Sequence, residues 1–385
     1  MPLVPLKPVL DAARAHGYAQ GAFNVNAVCQ AKAAIEVHEM FRSPVILQGA
    51  DLANAFMGGR ADFANGTVED KIRGAKNIGA AVRRFAEESP VPVVLHLDHG
   101  HDLESVKAAI DGGYTSVMID GSSLPFEENK ELTREVVLYA HARGVSVEGE
   151  LGVLAGVEDD VSSLTSTYTD PLAAIEFIRD TKVDALAISY GTMHGPSKGK
   201  GVKLRREIPT AIRECLLHAG IECALVSHGS STVPQYLVEE INGLGGDVQG
   251  AYGIPMPELL AAIPCGINKI NVDTDIRLAV TRNLRELFKL RPELADSKSA
   301  GPIHDLLAAN PAQVDPRAFL PPIYPTVMYG EVPDEDVAAV VAAIEAGVKE
   351  AVGTLVVEFG SVGRSPLVER VGLDEMAARY AKAGL

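Results

Sequence analysis

Eight short runs rich in β-branched and apolar residues recur along this chain, and most are followed by a stretch whose apolar positions have helical spacing. The runs are GAFNV (21–25), PVILQ (44–48), PVVLHLD (92–98), TSVMID (115–120), VSVEGEL (145–151), DALAIS (184–189), ECALVSH (222–228) and INKINVD (267–273). Strands separated by helix-length segments pair in parallel, because a parallel pair needs a long crossover connection. Candidate helices such as HDLESVKAAIDGG and VPQYLVEEINGLGG end on glycine pairs that can take the left-handed terminating conformation. Eight strand–helix units predict an α/β fold, a (β/α)8 TIM barrel. An open doubly wound sheet with extra edge strands is the alternative. After about residue 290 the pattern changes to a stretch rich in proline and alanine, followed by the helical runs DEDVAAVVAAIEAGVKEAVG and LDEMAARYAKAGL. The expected division is a barrel over 1–290 and a mostly helical C-terminal extension over 291–385, packed on the barrel and at a subunit interface.

Composition narrows the class. Hydrophobic residues make up 47% and charged residues 22% of the chain, so there is no disorder signature. A net charge of −16 without a lysine or arginine stripe argues against nucleic acid as a partner. No apolar run is long enough to span a membrane, and MPLVPLKPVL reads as neither a signal peptide nor a transit segment. Cys29, Cys215, Cys223 and Cys265 are scattered and form no CxxC pair, as in a reduced cytoplasmic protein. A cytoplasmic enzyme with no membrane partner is expected.

Barrel enzymes carry their chemistry at the C-terminal ends of the strands, and the polar residues of this chain collect there. The third strand ends in LHLDHGHD, with Asp98 and His99; the fourth ends in Asp120; the fifth carries Glu148 and Glu150. His194 follows the sixth strand, His228 ends the seventh, and Asn271, Asp273, Thr274 and Asp275 end the eighth. Burying imidazoles and carboxylates is costly unless they are paired. Three imidazoles with an open fourth position is the pattern of a catalytic metal site, and His99, His194 and His228 converge if the barrel closes. His96, His101 and His141 are weaker candidates, read as interior, helix-start and helix-end residues.

Anion chemistry has its own stretches. The loops after the seventh and eighth strands, HGSSTVP and NVDTD, offer small residues, hydroxyls and free N–H groups at helix starts. Helix capping by Ser230, Ser231 and Asp273 is compatible with that use. Lys198, in the glycine-rich GTMHGPSKGKGVKL loop, can reach an anion, and Arg277 lies one helical turn past Asp273. The acidic stretch 152–171 has lid length, and Glu158 is its best candidate for a general base.

Taken together, the motifs GAFNVN, LDHGHD, MIDGS, VEGELG, YTDP, GTMHG, SHGSS and NVDTDIR resemble the class II, metal-dependent fructose-1,6-bisphosphate aldolases. DPRAFL and the terminal VEFGSVGR…MAARYAKAGL are similar to the longer bacterial branch, and only about 300–355 falls largely outside the likeness. The resemblance implies reversible cleavage of fructose 1,6-bisphosphate to dihydroxyacetone phosphate and glyceraldehyde 3-phosphate, in glycolysis and gluconeogenesis. It implies that His99, His194 and His228 hold catalytic Zn2+, with Asp120 and Glu150 at a second divalent position and a monovalent cation (Na+ or K+) near the phosphate. Asp98 would act at the C4 oxygen and Glu158 at carbon. Gly195, Lys198, Gly229, Ser231, Asp273 and Thr274 would hold the C1 phosphate. Asn271 would bind the enediolate oxygens and Arg277 the distal phosphate. Arg317 would reach a neighbouring subunit's site in a homodimer or homotetramer.

Departures from the family pattern are Gln48-Gly49-Ala50 where Gln-x-Ser is usual, Ala27 for an asparagine, Thr232 after HGSS, and EDDVSS in the acidic loop. Alternatives are another ketose bisphosphate (tagatose or sedoheptulose bisphosphate), a barrel metallohydrolase, or a phosphosugar-binding protein of reduced activity. Lys269, sharing side-chain parity with Asn271, would be the Schiff-base residue of a different aldolase mechanism. Its expected role is a structural pair with Glu148.

Overall fold

The computed structural model describes residues 3–384 apart from 159–160, 164–165 and 196–197, and only the backbone of 157, 158, 161 and 162. Each of the eight runs forms a strand: β1 (Gln20–Asn24), β2 (Val45–Ala50), β3 (Val93–Gly100), β4 (Ser116–Ile119), β5 (Ser146–Leu151), β8 (Ala185–Ile188), β9 (Ala224–Ser227) and β10 (Ile267–Val272). They close in the order β1-β10-β9-β8-β5-β4-β3-β2, every pair parallel, so the barrel is formed and the open sheet is excluded. The acidic stretch carries a small antiparallel hairpin, β6 (Gly156–Glu158) with β7 (Val161–Ser163).

Local signals explain where the helices begin and end. Thr67 and Asp70 form a capping box on Val68–Glu88, and Asp102 caps Leu103–Gly112 by accepting from the Ser105 N–H. Asp170 does the same for Pro171–Thr181, with proline at the first helical position, where no N–H is needed. Gly113 and Gly220 end their helices in the left-handed conformation that glycine takes without a Cβ clash.

The interior is layered. Ala22, Ile46, Val94, Met118, Ala185, Ala187, Ala224 and Val226 form one buried cluster with Leu6, Val9 and Leu10 of the helix Leu6–His16. That helix therefore plugs the N-terminal end of the barrel. Above the apolar layer lie His96, Glu148 and Lys269, and above these the strand ends that carry the site.

Both helical runs of the extension are present, as Glu335–Glu358 and Leu373–Lys382. The long helix lies against Val28–Phe41 and Thr274–Leu290, so closely at Gly347 that a Cβ would come within 2.8 Å of the Ala279 backbone. Its Val340, Ile344, Val348 and Val352 join the core between the barrel and its helices. The terminal helix anchors under the barrel: Tyr380 stacks on His141 at 3.6 Å and donates to Asp184 at 2.9 Å. His141, expected only to face a helix dipole, ends Phe126–His141 buried against that same Asp184 at 3.0 Å.

His38, fully buried beside Phe23, donates through Nδ1 to the Ala34 carbonyl, and burial pushes its pKa down to about 4. Below the unfolded value of about 6.5 the unfolded chain takes up a proton that the native chain refuses. Stability should therefore fall as pH drops from about 6.5 toward 4. His38→Phe removes this sensitivity. Urea midpoints at pH 7 and pH 5 should show the wild type losing about 2 kcal/mol more than the variant.

Candidate active site

Asp98 and His99 reach the barrel mouth because β3 bulges against β4 between Leu97 and Gly100. His99 takes φ +49°, a left-handed backbone uncommon outside glycine, and a bulge of this kind re-aims a side chain. Asp98 is buried and fully engaged: Asn24 donates to one oxygen at 2.9 Å and Asn271 to the other at 3.2 Å. Asn24 is fixed in turn by Gln48, which donates to its carbonyl oxygen at 2.9 Å.

The three histidines meet on this rim. The His99 ring centre lies 4.8 Å from that of His228 and 5.3 Å from that of His194. His99 Nδ1 sits 3.0 Å from an Asp120 oxygen, and His228 Nε2 sits 2.7 Å from Glu148 Oε1. A carboxylate only accepts, so each of these nitrogens carries the proton. The remaining nitrogens, His99 Nε2 and His228 Nδ1, face each other at 3.1 Å, where a second proton on His99 Nε2 donates to the His228 Nδ1 lone pair. His194 is placed by its backbone, whose N–H donates to Ala155 at 2.8 Å; a Cβ on Gly156 would lie 2.3 Å from the His194 carbonyl oxygen. The base of the acidic hairpin is thereby tied to the loop after β8.

This donor set fits a divalent cation. Asp98, His99 and His228 form one buried group, and His99, Asp120 and Glu150 form a second that shares His99. Among the described residues Glu150 Oε2 is buried without a hydrogen-bond partner, and burial, then the Asp120 charge, raises its pKa well above the carboxylate range. Burial disfavours a charge on His99, yet Asp98, Asp120 and Glu150 together raise its pKa well above the usual histidine value. A site that holds a proton so firmly is one that stabilises positive charge.

The anion side lies next to it. Ser231 Oγ accepts from the N–H groups of Asp273 (3.3 Å) and Thr274 (3.1 Å). Lys198 Nζ donates to the carbonyls of Gly229 (2.7 Å) and Ser231 (3.4 Å). Gly229 and Gly195 have positive φ, and a Cβ on Gly229 would sit 2.4 Å from the Met193 carbonyl, so this crossing requires glycine. Arg277 pairs with Asp273 and, at 2.9 Å, with Asp315.

Arg317 is 2% exposed, hydrogen-bonded to Asp315 at 2.7 and 3.1 Å and seated over Phe63. The side chain of Glu158 lies outside the described residues. His101 is exposed next to the Asp102 cap and takes no place at the rim, whereas His96 points inward to Ser116 at 2.8 Å. Lys269 is fully buried and donates to Glu148 at 2.9 Å, the pairing expected from side-chain parity. Asn24, Gln48 and Asp315 were not foreseen as supports. Their only signal is position: Asn24 ends β1, Gln48 lies near the end of β2, and Asp315 immediately precedes Pro316-Arg317.

Among the described residues, no helix is long and apolar enough to cross a membrane. The family model for class-II fructose-bisphosphate aldolase matches residues 4–364. A fructose-bisphosphate aldolase from Giardia intestinalis is 42% identical over 308 residues, covering 80% of this chain and 90% of that protein. One from a Nostoc species is 36% identical over 405 residues, covering 100% of this chain and 97% of its own. The crystal structure of the YdjI aldolase from Escherichia coli K12 superposes with a TM-score of 0.64 at 24% identity, over 94% of this chain and 99% of that one, and shares the fold. The chain belongs to the class II fructose-bisphosphate aldolase family.

Proposed function

We propose that this enzyme reversibly cleaves fructose 1,6-bisphosphate between C3 and C4, giving dihydroxyacetone phosphate and glyceraldehyde 3-phosphate. The observation that carries the reading is the adjacency of Asp98, the three histidines and the Ser231–Lys198 anion cradle at one barrel mouth. Asp98 removes the C4 hydroxyl proton; the C4–O electrons form the new carbonyl as the C3–C4 bond breaks, and its electron pair is left on C3 beside the C2 ketone. Glu158, on the acidic hairpin, returns a proton to C3. Asn271 donates toward the C2–C3 oxygens. Gly195, Lys198, Gly229, Ser231, Asp273 and Thr274 hold the C1 phosphate, and Arg277 with Arg317 receives the distal phosphate by displacing Asp315. Binding at both ends orients the carbon chain over Asp98.

His99, His194 and His228 would hold Zn2+, with Asp120 and Glu150 beside a second divalent position and Na+ or K+ near the phosphate. A divalent ion supplies Lewis-acid stabilisation of the negative charge that develops on oxygen, an effect of several kcal/mol. We place the enzyme in the cytoplasm as a homodimer or homotetramer, with residues 1–290 as the barrel unit and 291–385 as its extension. A coupled assay with fructose and tagatose bisphosphates tests the reading. Cleavage of the fructose substrate should be lost on chelation, restored by zinc and absent in His194→Ala. Failure to cleave any ketose bisphosphate sinks it.

A further inference from the structure

Beneath the catalytic rim, four ionisable side chains, His96, Glu148, His228 and Lys269, are at most 1% exposed. Glu148 is their hub. Its Oε1 accepts from His228 Nε2 at 2.7 Å, its Oε2 accepts from Lys269 Nζ at 2.9 Å, and His96 Nε2 stands 3.6 Å from Oε2. A buried ion pair of this kind contributes little net stability compared with apolar residues of similar volume. Its retention under a metal-binding histidine calls for another account.

We propose that Lys269 and Glu148 form a tautomer lock, which holds the proton of His228 on Nε2 and leaves its Nδ1 as the lone-pair donor for the metal. This rests on the reading that His99, His194 and His228 hold a divalent ion. Asn271 Nδ2 faces the same ring, 3.2 Å from Nδ1 and 3.1 Å from Nε2, and so does not choose between them; the choice is made by Glu148. Lys269 fixes the carboxylate. An ammonium is a donor only, so Oε2 is committed to accepting from it and Oε1 to accepting from the imidazole. Asp120 plays the equivalent part for His99 with an aspartate at the rim, and among the described residues Glu148 is the one of the two paired with a buried lysine. Lys269 is therefore a positioning residue acting through Glu148 and His228, and it does not touch substrate.

Glu148→Gln breaks the lock by hydrogen-bond chemistry alone. Its amide can turn an N–H toward Nε2, and the ring proton then moves to Nδ1, where the lone pair is lost. Loss of such a supporting partner typically costs about 10- to 100-fold in metal affinity. The experiment uses the full-length protein. Nitrogen-15 NMR of the metal-free protein reads which ring nitrogen of His228 carries the proton. Chelator competition reads zinc affinity, and the visible bands of the cobalt-loaded protein read the ligand field.

The wild type should show the Nε2–H form, and Glu148→Gln should lose it together with the 10- to 100-fold in zinc affinity. Lys269→Met leaves an accepting carboxylate and so keeps the Nε2–H form, but it frees Glu148 to turn and should lower zinc affinity by a smaller factor. The paired variant Glu148→Leu/Lys269→Met restores an uncharged interior and guards against misfolding. The lock requires that it too binds zinc weakly, whereas a merely structural pair requires that it recovers. Unchanged tautomer and zinc affinity in Glu148→Gln, or recovery in the paired variant, overturns the lock. A wild type that binds no divalent ion overturns the underlying metal reading instead, so the two failures are distinguishable.

Discussion

Asp98→Asn should lower kcat for cleavage by about 10²- to 10⁴-fold, the usual worth of a positioned general base. The two oxygens of Asp98 accept from Asn24 and Asn271 at 2.9 and 3.2 Å. An asparagine at 98 must turn its NH2 toward one of those donors, and Asn24 cannot flip to oblige without losing Gln48. The variant therefore loses both the base and one buried hydrogen bond, with a stability cost of about 1–3 kcal/mol. Two readouts separate the roles of the carboxylates. If Asp98 serves the C4 hydroxyl and Glu158 serves carbon, Asp98→Asn still exchanges a carbon-bound hydrogen of dihydroxyacetone phosphate with solvent, and Glu158→Ala does not. Full cleavage activity in Asp98→Asn would remove Asp98 from the chemistry.

Much of this arrangement was legible in the chain because it rests on local patterns. The apolar runs mark the barrel strands, and their number indicates closure. The strand-end rule then singles out His99, His194 and His228 although no spacing links them. The supports were harder to read because they depend on which strands are neighbours and in what register. Ala22 stands opposite Asn271, and Ala50 opposite Asp98, so Asn24 and Gln48 arrive beside Asp98 only once β1 and β2 are in place. Side-chain parity paired Lys269 with Glu148, but the second bond of Glu148, to His228, comes from the end of β9, two strands round the barrel from β5. Arg317 was marked by the DPRAFL sequence alone, whereas its bonds to Asp315, two residues earlier, become visible only in the fold. Thr232, a departure from the family pattern, was unexplained in the sequence and acquires a role in the fold.

That role predicts the second large effect. Asp275 lies in the first turn of the helix Thr274–Leu290, 2% exposed, beside the Ser231 loop proposed to hold phosphate. One of its oxygens accepts from Thr232 N (3.0 Å) and Thr232 Oγ (2.7 Å), and the other from Val233 N (2.8 Å). Val233 is β-branched and sits at φ +50°, a strained left-handed conformation that costs roughly 1–2 kcal/mol and persists only when its surroundings enforce it. Asp275 is the enforcing group. Asp275→Ala removes three hydrogen bonds and leaves backbone donors without acceptors, each costing about 1–3 kcal/mol. We expect a total loss of about 3–5 kcal/mol in urea unfolding. With the loop released, Ser231 and the Gly229 carbonyl that Lys198 holds lose their fixed positions, so KM for the bisphosphate should rise more than kcat falls. Thr232→Gly removes the hydroxyl bond and loosens the backbone, and should cost about 1–2 kcal/mol. Equal effects of Asp275→Ala and Thr232→Gly on stability and KM would show that the carboxylate is not what holds the cradle.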